Sequence, residues 1–190
     1  MNIIKVKKIN KIPGLYYIEN FINDNKLIIK ELDKEEWKGI TNSSNGRLVQ
    51  QYGYIYNYSN YKSTIKTKDM IPILYDIKNN IKDVCVELNL CDDTFDFDQC
   101  IVNNYYKNQR ISKHIDSLTF DKIICCLTIG TEPGGIMRFS YDEHKKDIIV
   151  KPNSLYIMSG DARYKWAHEM LSNKGDRRIS ITYRTIKSVV

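Results

Sequence analysis

A chain of 190 residues is long enough to bury a core without disulfides or a structural metal, and short enough to be one domain. Lys and Arg outnumber Asp and Glu by 29 to 23, a net charge of +6 that suits an anionic partner without requiring one. Five cysteines, odd in number and without a C-x-x-C pair, exclude a disulfide framework and a zinc ribbon, and no apolar run is long enough to span a bilayer. The expectation is a soluble intracellular protein, cytoplasmic or nuclear, with reduced thiols, no membrane partner and an assumed monomeric state.

In chain order, Pro13-Gly14 precedes a short β-prone run from Leu15 to Ile18. Asn23 then stands as the N-cap of an amphipathic helix through Leu27, Ile28 and Leu32, with Trp37 closing the unit against the core. Residues 41–46 form a turn-rich loop, and the tyrosine-rich stretch beyond it alternates like an edge hairpin. Leu74, Ile77, Ile81, Val84, Cys85 and Leu88 recur at three- and four-residue steps, which predicts a helix lying on a sheet. Short strands follow near 99–105, 123–129, 136–141, 147–150, 154–158 and 177–186. Helices first and strands afterwards predict an α+β chain whose mostly antiparallel sheet folds into a sandwich or jelly roll, with nothing that divides residues 1–190 into two domains.

Three histidines occur, and one of them stands in His114-Ile115-Asp116. Residues two apart on an extended segment project to the same side, so His114 and Asp116 can take adjacent corners of one metal. His168, several strands further on, can complete the set if the sheet folds back. Two His and one carboxylate leave three coordination positions open, the arrangement that suits non-haem Fe(II). On these residues alone a plainer reading is favoured, with His114 ending a strand, Asp116 opening a turn and His168 satisfied in the core. His144, among Asp142, Glu143, Lys145 and Lys146, reads as a solvated hairpin tip.

The last strand reverses that weighing. From 178 to 184 the residues alternate, so Arg178, Ser180, Thr182 and Arg184 share one face and Ile179, Ile181 and Tyr183 the other. If the polar face is buried, two guanidinium groups lie uncompensated there, at several kcal/mol each. A bound dicarboxylate removes that cost, because Arg grips carboxylate through a planar fork. The alternative is an edge strand with both arginines in solvent.

Four ordered stretches, 102–105 (VNNY), 114–116 (HID), 154–168 (SLYIMSGDARYKWAH) and 178–184 (RISITYR), together resemble the AlkB family of dioxygenases. The likeness runs from about Pro13 to Lys187 and takes in the opening PGLYYIENF and the segment 50–54 (QQYGY). It implies a double-stranded β-helix core at about 97–187, preceded at about 13–96 by supporting helices and a nucleotide-recognition lid. It further implies that His114, Asp116 and His168 bind iron. Arg178 would hold the distal carboxylate of 2-oxoglutarate with Asn103, Tyr105 and Tyr156, and Arg184 would complete the basic site. With Fe(II), 2-oxoglutarate and O₂ such an enzyme hydroxylates a substrate C–H and forms succinate and CO₂; an N-methyl substrate then loses formaldehyde.

The lid would fall on the aromatic and basic stretch from Arg47 to Lys62, where Tyr52, Tyr54, Tyr56 and Tyr58 have one parity and would form a single stacking face on a strand. A tyrosine ladder packed on the core is the alternative. Two branches of the family fit, the demethylases of alkylated bases in DNA repair and the tRNA enzyme that hydroxylates a modified wobble uridine, with a lean toward the second. The length leaves no room for an accessory RNA-binding or methyltransferase domain, so the expectation is a nucleic-acid oxygenase of unspecified base. A protein hydroxylase or demethylase on the same fold would keep every metal and cosubstrate residue; a non-catalytic binding module would be expected to have lost one. One departure from the family pattern is the turn Thr131-Glu-Pro-Gly-Gly135, which would border the substrate mouth.

Overall fold

The computed structural model of the chain describes residues 5–40, 46–58 and 62–187. Its first half contains β1 (Val6–Lys8), β2 (Leu15–Ile18), α1 (Lys26–Leu32), β3 (Lys38–Gly39), β4 (Leu48–Tyr52), β5 (Tyr54–Asn57), β6 (Lys62–Lys66) and α2 (Pro72–Glu87). Then come β7 (Gln99–Tyr106), β8 (Ile111–His114), β9 (Ile124–Gly130), β10 (Gly135–Tyr141), β11 (His144–Val150), β12 (Ser154–Met158), α3 (Gly160–Tyr164), β13 (Ala167–Asn173) and β14 (Arg177–Arg184).

A large sheet has the order β1-β2-β12-β9-β14-β7-β4-β3 and a small one the order β11-β10-β13-β8. From β7 onward the chain weaves between them: β7, β9, β12 and β14 join the large sheet, and β8, β10, β11 and β13 the small one. With antiparallel pairing throughout these strands, that weave is a double-stranded β-helix, the jelly roll expected from the strand pattern. Residues before 97 supply both flanks of the large sheet, because β2 pairs with β12 and β4 with β7.

Alternation along each central strand gives the large sheet two different faces. On the outer face Val102, Leu127, Leu155, Ile157, Ile179, Ile181 and Tyr183 pack with Leu74, Ile77, Ile81 and Val84 of α2. Pro72 begins that helix, where a missing N–H costs nothing, and the Tyr183 hydroxyl donates to the Leu74 carbonyl at 2.8 Å. On the inner face Ile124, Cys126, Tyr156 and Met158 meet Met137, Phe139 and Met170 of the small sheet. This second core is interrupted by polar side chains from β7 and β14, and the interruption is the site. No helix among the described residues is long and apolar enough to cross a membrane.

Three local expectations change. Helix α1 begins at Lys26 rather than after Asn23: Asp24 accepts from the Lys26 N–H at 2.9 Å, while Asn25 reaches away to Asn153 at 2.7 Å and the Gly130 carbonyl. Leu27 is 57% exposed, leaving Ile28 and Leu32 as the buried face. The tyrosine-rich stretch is not one strand, because Gly53 takes a positive φ of 73° and a Cβ there would meet the Asp98 carbonyl. Before that kink β4 joins the large sheet; after it β5 pairs with β6 in a separate hairpin. Of the turn-rich loop, residues 41–45 lie outside the described residues. His144 opens β11 beside a tight turn at Asp142 and is exposed, as expected of a hairpin tip.

Because Ile81 is wholly buried between α2 and the outer face of the sheet, Ile81→Ala is expected to cost about 2–5 kcal/mol of stability in urea denaturation. An unchanged midpoint would mean that α2 does not cover the sheet.

Candidate metal centre

In the small sheet β13 lies between β10 and β8, and the register sets His168 directly opposite His114. The two imidazole rings lie 4.4 Å apart, with Phe139, across from His168 on the other side, backing its ring. Asp116 falls just past the end of β8 and turns back, bringing its Oδ2 to 3.5 Å from His168 Nε2. One donor atom from each of His114, Asp116 and His168 falls within 4.8 Å of the others.

Each member can turn a lone pair toward a cation. The Ser112 carbonyl lies 2.7 Å from His114 Nδ1; a carbonyl can only accept, so Nδ1 carries a proton and Nε2 is the nitrogen left to meet a cation. Burial holds the His168 pKa down, to about 4, against the opposing pull of Asp116, so that ring is neutral at neutral pH. Burial would raise Asp116, but Arg184, then His168, His114 and Arg163, outweigh it and keep the carboxyl well below the usual range. Two imidazoles and one carboxylate make a donor set for a divalent transition ion.

Arg163 fixes the Asp116 loop. Only 1% exposed, it donates to four backbone carbonyls: Asp116 at 3.0 Å, Ser117 at 2.7 Å, Phe120 at 3.0 Å and Asp121 at 3.1 Å. Its helix, α3, is itself seated on the N-terminal turn, where Ala162 N–H donates to the Pro13 carbonyl and Ser159 N–H to the Gly14 carbonyl. Gly14 has φ of 84°, and a Cβ there would collide with the Ser159 carbonyl at 2.0 Å. Sequence reasoning gave Arg163 no role. A five-residue helix has too little periodicity to reveal that its arginine points inward.

Behind the triad lies an inner cavity of about 40 Å³. Asn103 and Tyr105 of β7, Tyr156 of β12, and Arg178 and Arg184 of β14 all line it, so the structure brings together the five side chains expected to hold a dicarboxylate. Arg178 is 3% exposed; its Nη2 donates to Thr128 Oγ1 at 3.2 Å and its guanidinium lies 5.3 Å from the Tyr105 ring centroid, while its Nε has no partner. Arg184 Nη2 donates to Asp116 Oδ1 at 2.9 Å and leaves Nε and Nη1 unpartnered. His168 Nδ1 is a further unpartnered atom, so four of the seven such buried atoms among the described residues surround this site. Buried donors without acceptors are costly, and an anion seated here would satisfy them. Burial pushes the Tyr156 hydroxyl up, leaving it protonated and able to donate.

The inner cavity shares Asn103, His114, Asp116 and Arg184 with an outer cleft of about 490 Å³. Of the residues expected to contact substrate, Arg47 stands in its wall, where Nε donates to Asn103 Oδ1 at 2.9 Å. Tyr52 does not. It is 0% exposed in the outer core, its hydroxyl on Gln50 Oε1 at 3.0 Å, because it precedes the kink at Gly53. Tyr54 is half-buried and also outside the cleft wall. Tyr56 and Tyr58 line the cleft instead, their rings edge to face at 5.1 Å and Tyr56 5.4 Å from Phe120. None of residues 131–135 is in this wall; the Gly134 carbonyl accepts from the Lys174 and Gly175 N–H groups.

Residues 14–184 match the family model of the 2OG-Fe(II) oxygenase superfamily, and the chain belongs to that superfamily. Within it the chain is AlkB-like and is a 2-oxoglutarate-dependent oxygenase that uses Fe(II), 2-oxoglutarate and O₂. It is 29% identical to the uncharacterized protein L905 of Acanthamoeba polyphaga mimivirus, over 96% of this chain and 89% of that protein. It is 30% identical to the tRNA (carboxymethyluridine(34)-5-O)-methyltransferase alkbh8 of Xenopus tropicalis, over 86% of this chain but 26% of that longer protein. An Arabidopsis thaliana alkylated DNA repair protein ALKBH8 homolog is 27% identical over 93% of this chain and 59% of its own length. In fold the chain is similar to OsALKBH1, with a TM-score of 0.74 at 13% identity over 95% of this chain and all of that one. A Pseudomonas putida prolyl-4-hydroxylase shares the fold at a TM-score of 0.60 and 17% identity, over 92% and 94% of the two chains.

Arg163→Lys cannot reproduce the four-carbonyl grip, since an ammonium has three donors and no planar fork. It is expected to weaken divalent-ion affinity about 10–100-fold in anaerobic titration with Fe(II) or Mn(II). Equal affinity would show that the Asp116 loop holds itself.

Acid should destabilise the metal-free protein. The His168 pKa in the folded chain, about 4, lies below its ordinary 6.5, so the unfolded chain takes up the proton first. Its stabilising contribution is complete above pH 6.5 and is lost as pH falls toward 4, on the order of 3 kcal/mol in all; Asp116, also lowered, adds to the loss at the acid end. Urea midpoints in EDTA across this range should fall in the unaltered protein and fall less in His168→Gln. Parallel slopes would refute the assignment.

Proposed function

We propose that the chain oxidises a carbon of a modified base in nucleic acid, with tRNA the first substrate to test. The observation that carries this reading is the outer cleft: it is walled by Tyr56, Tyr58 and Arg47 and runs onto His114 and Asp116. Aromatic rings accept the π-face of an unpaired base, and Arg47, 5.6 Å from the Tyr58 ring centroid, adds a cation to the same wall. Support comes from relatives named for tRNA modification and for alkylated DNA repair.

In this reading His114, Asp116 and His168 hold the iron. Bound Fe(II), with 2-oxoglutarate and O₂, supplies the oxidising power that turns a substrate C–H into C–OH while 2-oxoglutarate becomes succinate and CO₂. The protein's own part is orientation and exclusion of water. Arg178 takes the distal carboxylate, with Tyr105 beneath its guanidinium and the Tyr156 hydroxyl as a further donor. Asn103 links the cosubstrate pocket to Arg47. Arg184 occupies Asp116 Oδ1, which leaves Oδ2 for the metal, and its unpartnered Nε and Nη1 are left to donate to the anion. The catalytic core spans about 97–187, and the β5–β6 hairpin serves as the lid over the base. A hydroxylated N-methyl group would leave as formaldehyde; any other hydroxylated carbon would retain its oxygen.

Anaerobic addition of Fe(II) and 2-oxoglutarate should give the weak visible charge-transfer band of the chelate, and both His114→Ala and Arg178→Ala should abolish it. With the band in hand, succinate release is measured on methylated oligonucleotides and on tRNA lacking late modifications. Absence of a band in the unaltered protein would refute the assigned ligands; a band with stimulation only by a peptide would refute the nucleic-acid substrate.

A further inference from the structure

A second cleft, of about 640 Å³, meets the catalytic one at Arg47, which walls both. Its other walls come from Gly46 and the β7–β8 turn, Tyr106, Lys107, Gln109 and Arg110 among them. The charge in these walls is one-sided. Across both clefts the lone carboxylate is Asp116, already paired with Arg184, whereas Arg47, Lys107, Arg110 and Lys113 are all cationic. Among the described residues Arg47, Arg110 and Lys113 form no ion pair, and Lys107 has only a 3.9 Å contact with the exposed Asp176. Solvated like charges gathered on one surface repel one another, and a polyanion relieves that repulsion.

The surface is also built in advance. Lys107 N–H donates to the Asp176 carbonyl at 3.1 Å and Asn108 N–H to the Asn173 carbonyl at 3.1 Å, while Asn173 N–H returns to the Gln109 carbonyl at 3.3 Å. The Gln109 side chain accepts from Tyr106 N–H at 2.9 Å and donates to the Gly46 carbonyl at 3.3 Å, so it joins the turn to the segment that carries Arg47. Little ordering remains to be done on binding. Tyr106 stands at the rim with its side chain 48% exposed.

We propose that this second cleft carries the sugar-phosphate backbone of the unpaired strand whose modified base enters the catalytic cleft. The inference rests on the nucleic-acid reading above and adds a path to it. Lys107 and Arg110 contact phosphates, Arg47 marks the point where the base leaves the strand, and Tyr106 stacks a flanking base without regard to sequence.

The test is fluorescence anisotropy with labelled single-stranded RNA and DNA of mixed sequence, titrated at several salt concentrations. Lys107→Ala/Arg110→Ala is expected to bind about tenfold more weakly at low salt, and the slope of log K against log salt to become shallower by about 0.7 per residue removed. Tyr106→Ala should weaken binding while leaving that slope unchanged. Lys7→Ala/Lys8→Ala, on β1 at the opposite edge of the large sheet, should bind as the unaltered protein does. Thermal melting checks that each variant is folded. If the Lys107/Arg110 variant keeps its affinity and slope, or the Lys7/Lys8 variant loses as much, the groove is refuted while the nucleic-acid reading stands. If the unaltered protein binds neither RNA nor DNA, both fall together.

Discussion

Asp116 is a carboxylate sunk almost completely into protein, and an isolated ionised group in that position would be untenable. It remains ionised because Arg184 donates to one oxygen and because Arg163 adds a second positive charge close by. Each group around it comes from a different part of the chain. Arg184 closes β14, Arg163 comes from α3, His114 ends β8 and His168 sits mid-strand on β13. The site therefore exists only when all of these elements are docked. Arg163 in turn depends on the seating of α3 against Gly14 near the N-terminus. A trio of side chains spread over a third of the sequence, His114, Asp116 and His168, is thereby tied to residues a hundred positions upstream.

The same electrostatic economy explains why the sandwich is asymmetric. The outer face of the large sheet is apolar and is sealed by α2, so it can carry the stability of the domain. The inner face gives up part of its apolar packing to Asn103, Arg178, Ser180, Thr182 and Arg184. Buried donors left without acceptors weaken a protein until an anion fills the space between them. Cosubstrate and metal are therefore expected to stabilise the fold as well as to enable the chemistry, and the apolar outer face is what allows the apoprotein to fold around such a polar interior.

The outer cleft is organised differently. The cleft above the triad is made by Arg47, by Tyr56 and Tyr58 at the end of β5, by β8 and the residues after it, and by Ile101 and Asn103 of β7. Tyr56, Tyr58, Arg47 and Lys113 line it beside Ile101, Ile111 and Ile115. The β7–β8 turn beside it, pinned by backbone hydrogen bonds, continues that surface away from the metal.

The sequence by itself determined the strand alternation, the amphipathic helix and the polar face of the last strand, and it singled out His114, Asp116 and His168, which the fold brings together. These are short-range patterns, fixed by the two-residue and 3.6-residue periods of the backbone. It could not decide which tyrosines reach the cleft. Parity predicted a common face for Tyr52 to Tyr58, but Gly53 adopts a left-handed conformation and sends Tyr52 into the core while Tyr56 and Tyr58 reach the site. Nor could it assign Arg163, whose hydrogen-bond partners lie more than 40 residues away and come into reach only when α3 docks. Local pattern chooses the groups that can do the chemistry; only tertiary packing decides which of them face one another, because burial and long-range hydrogen bonds are properties of the folded chain alone.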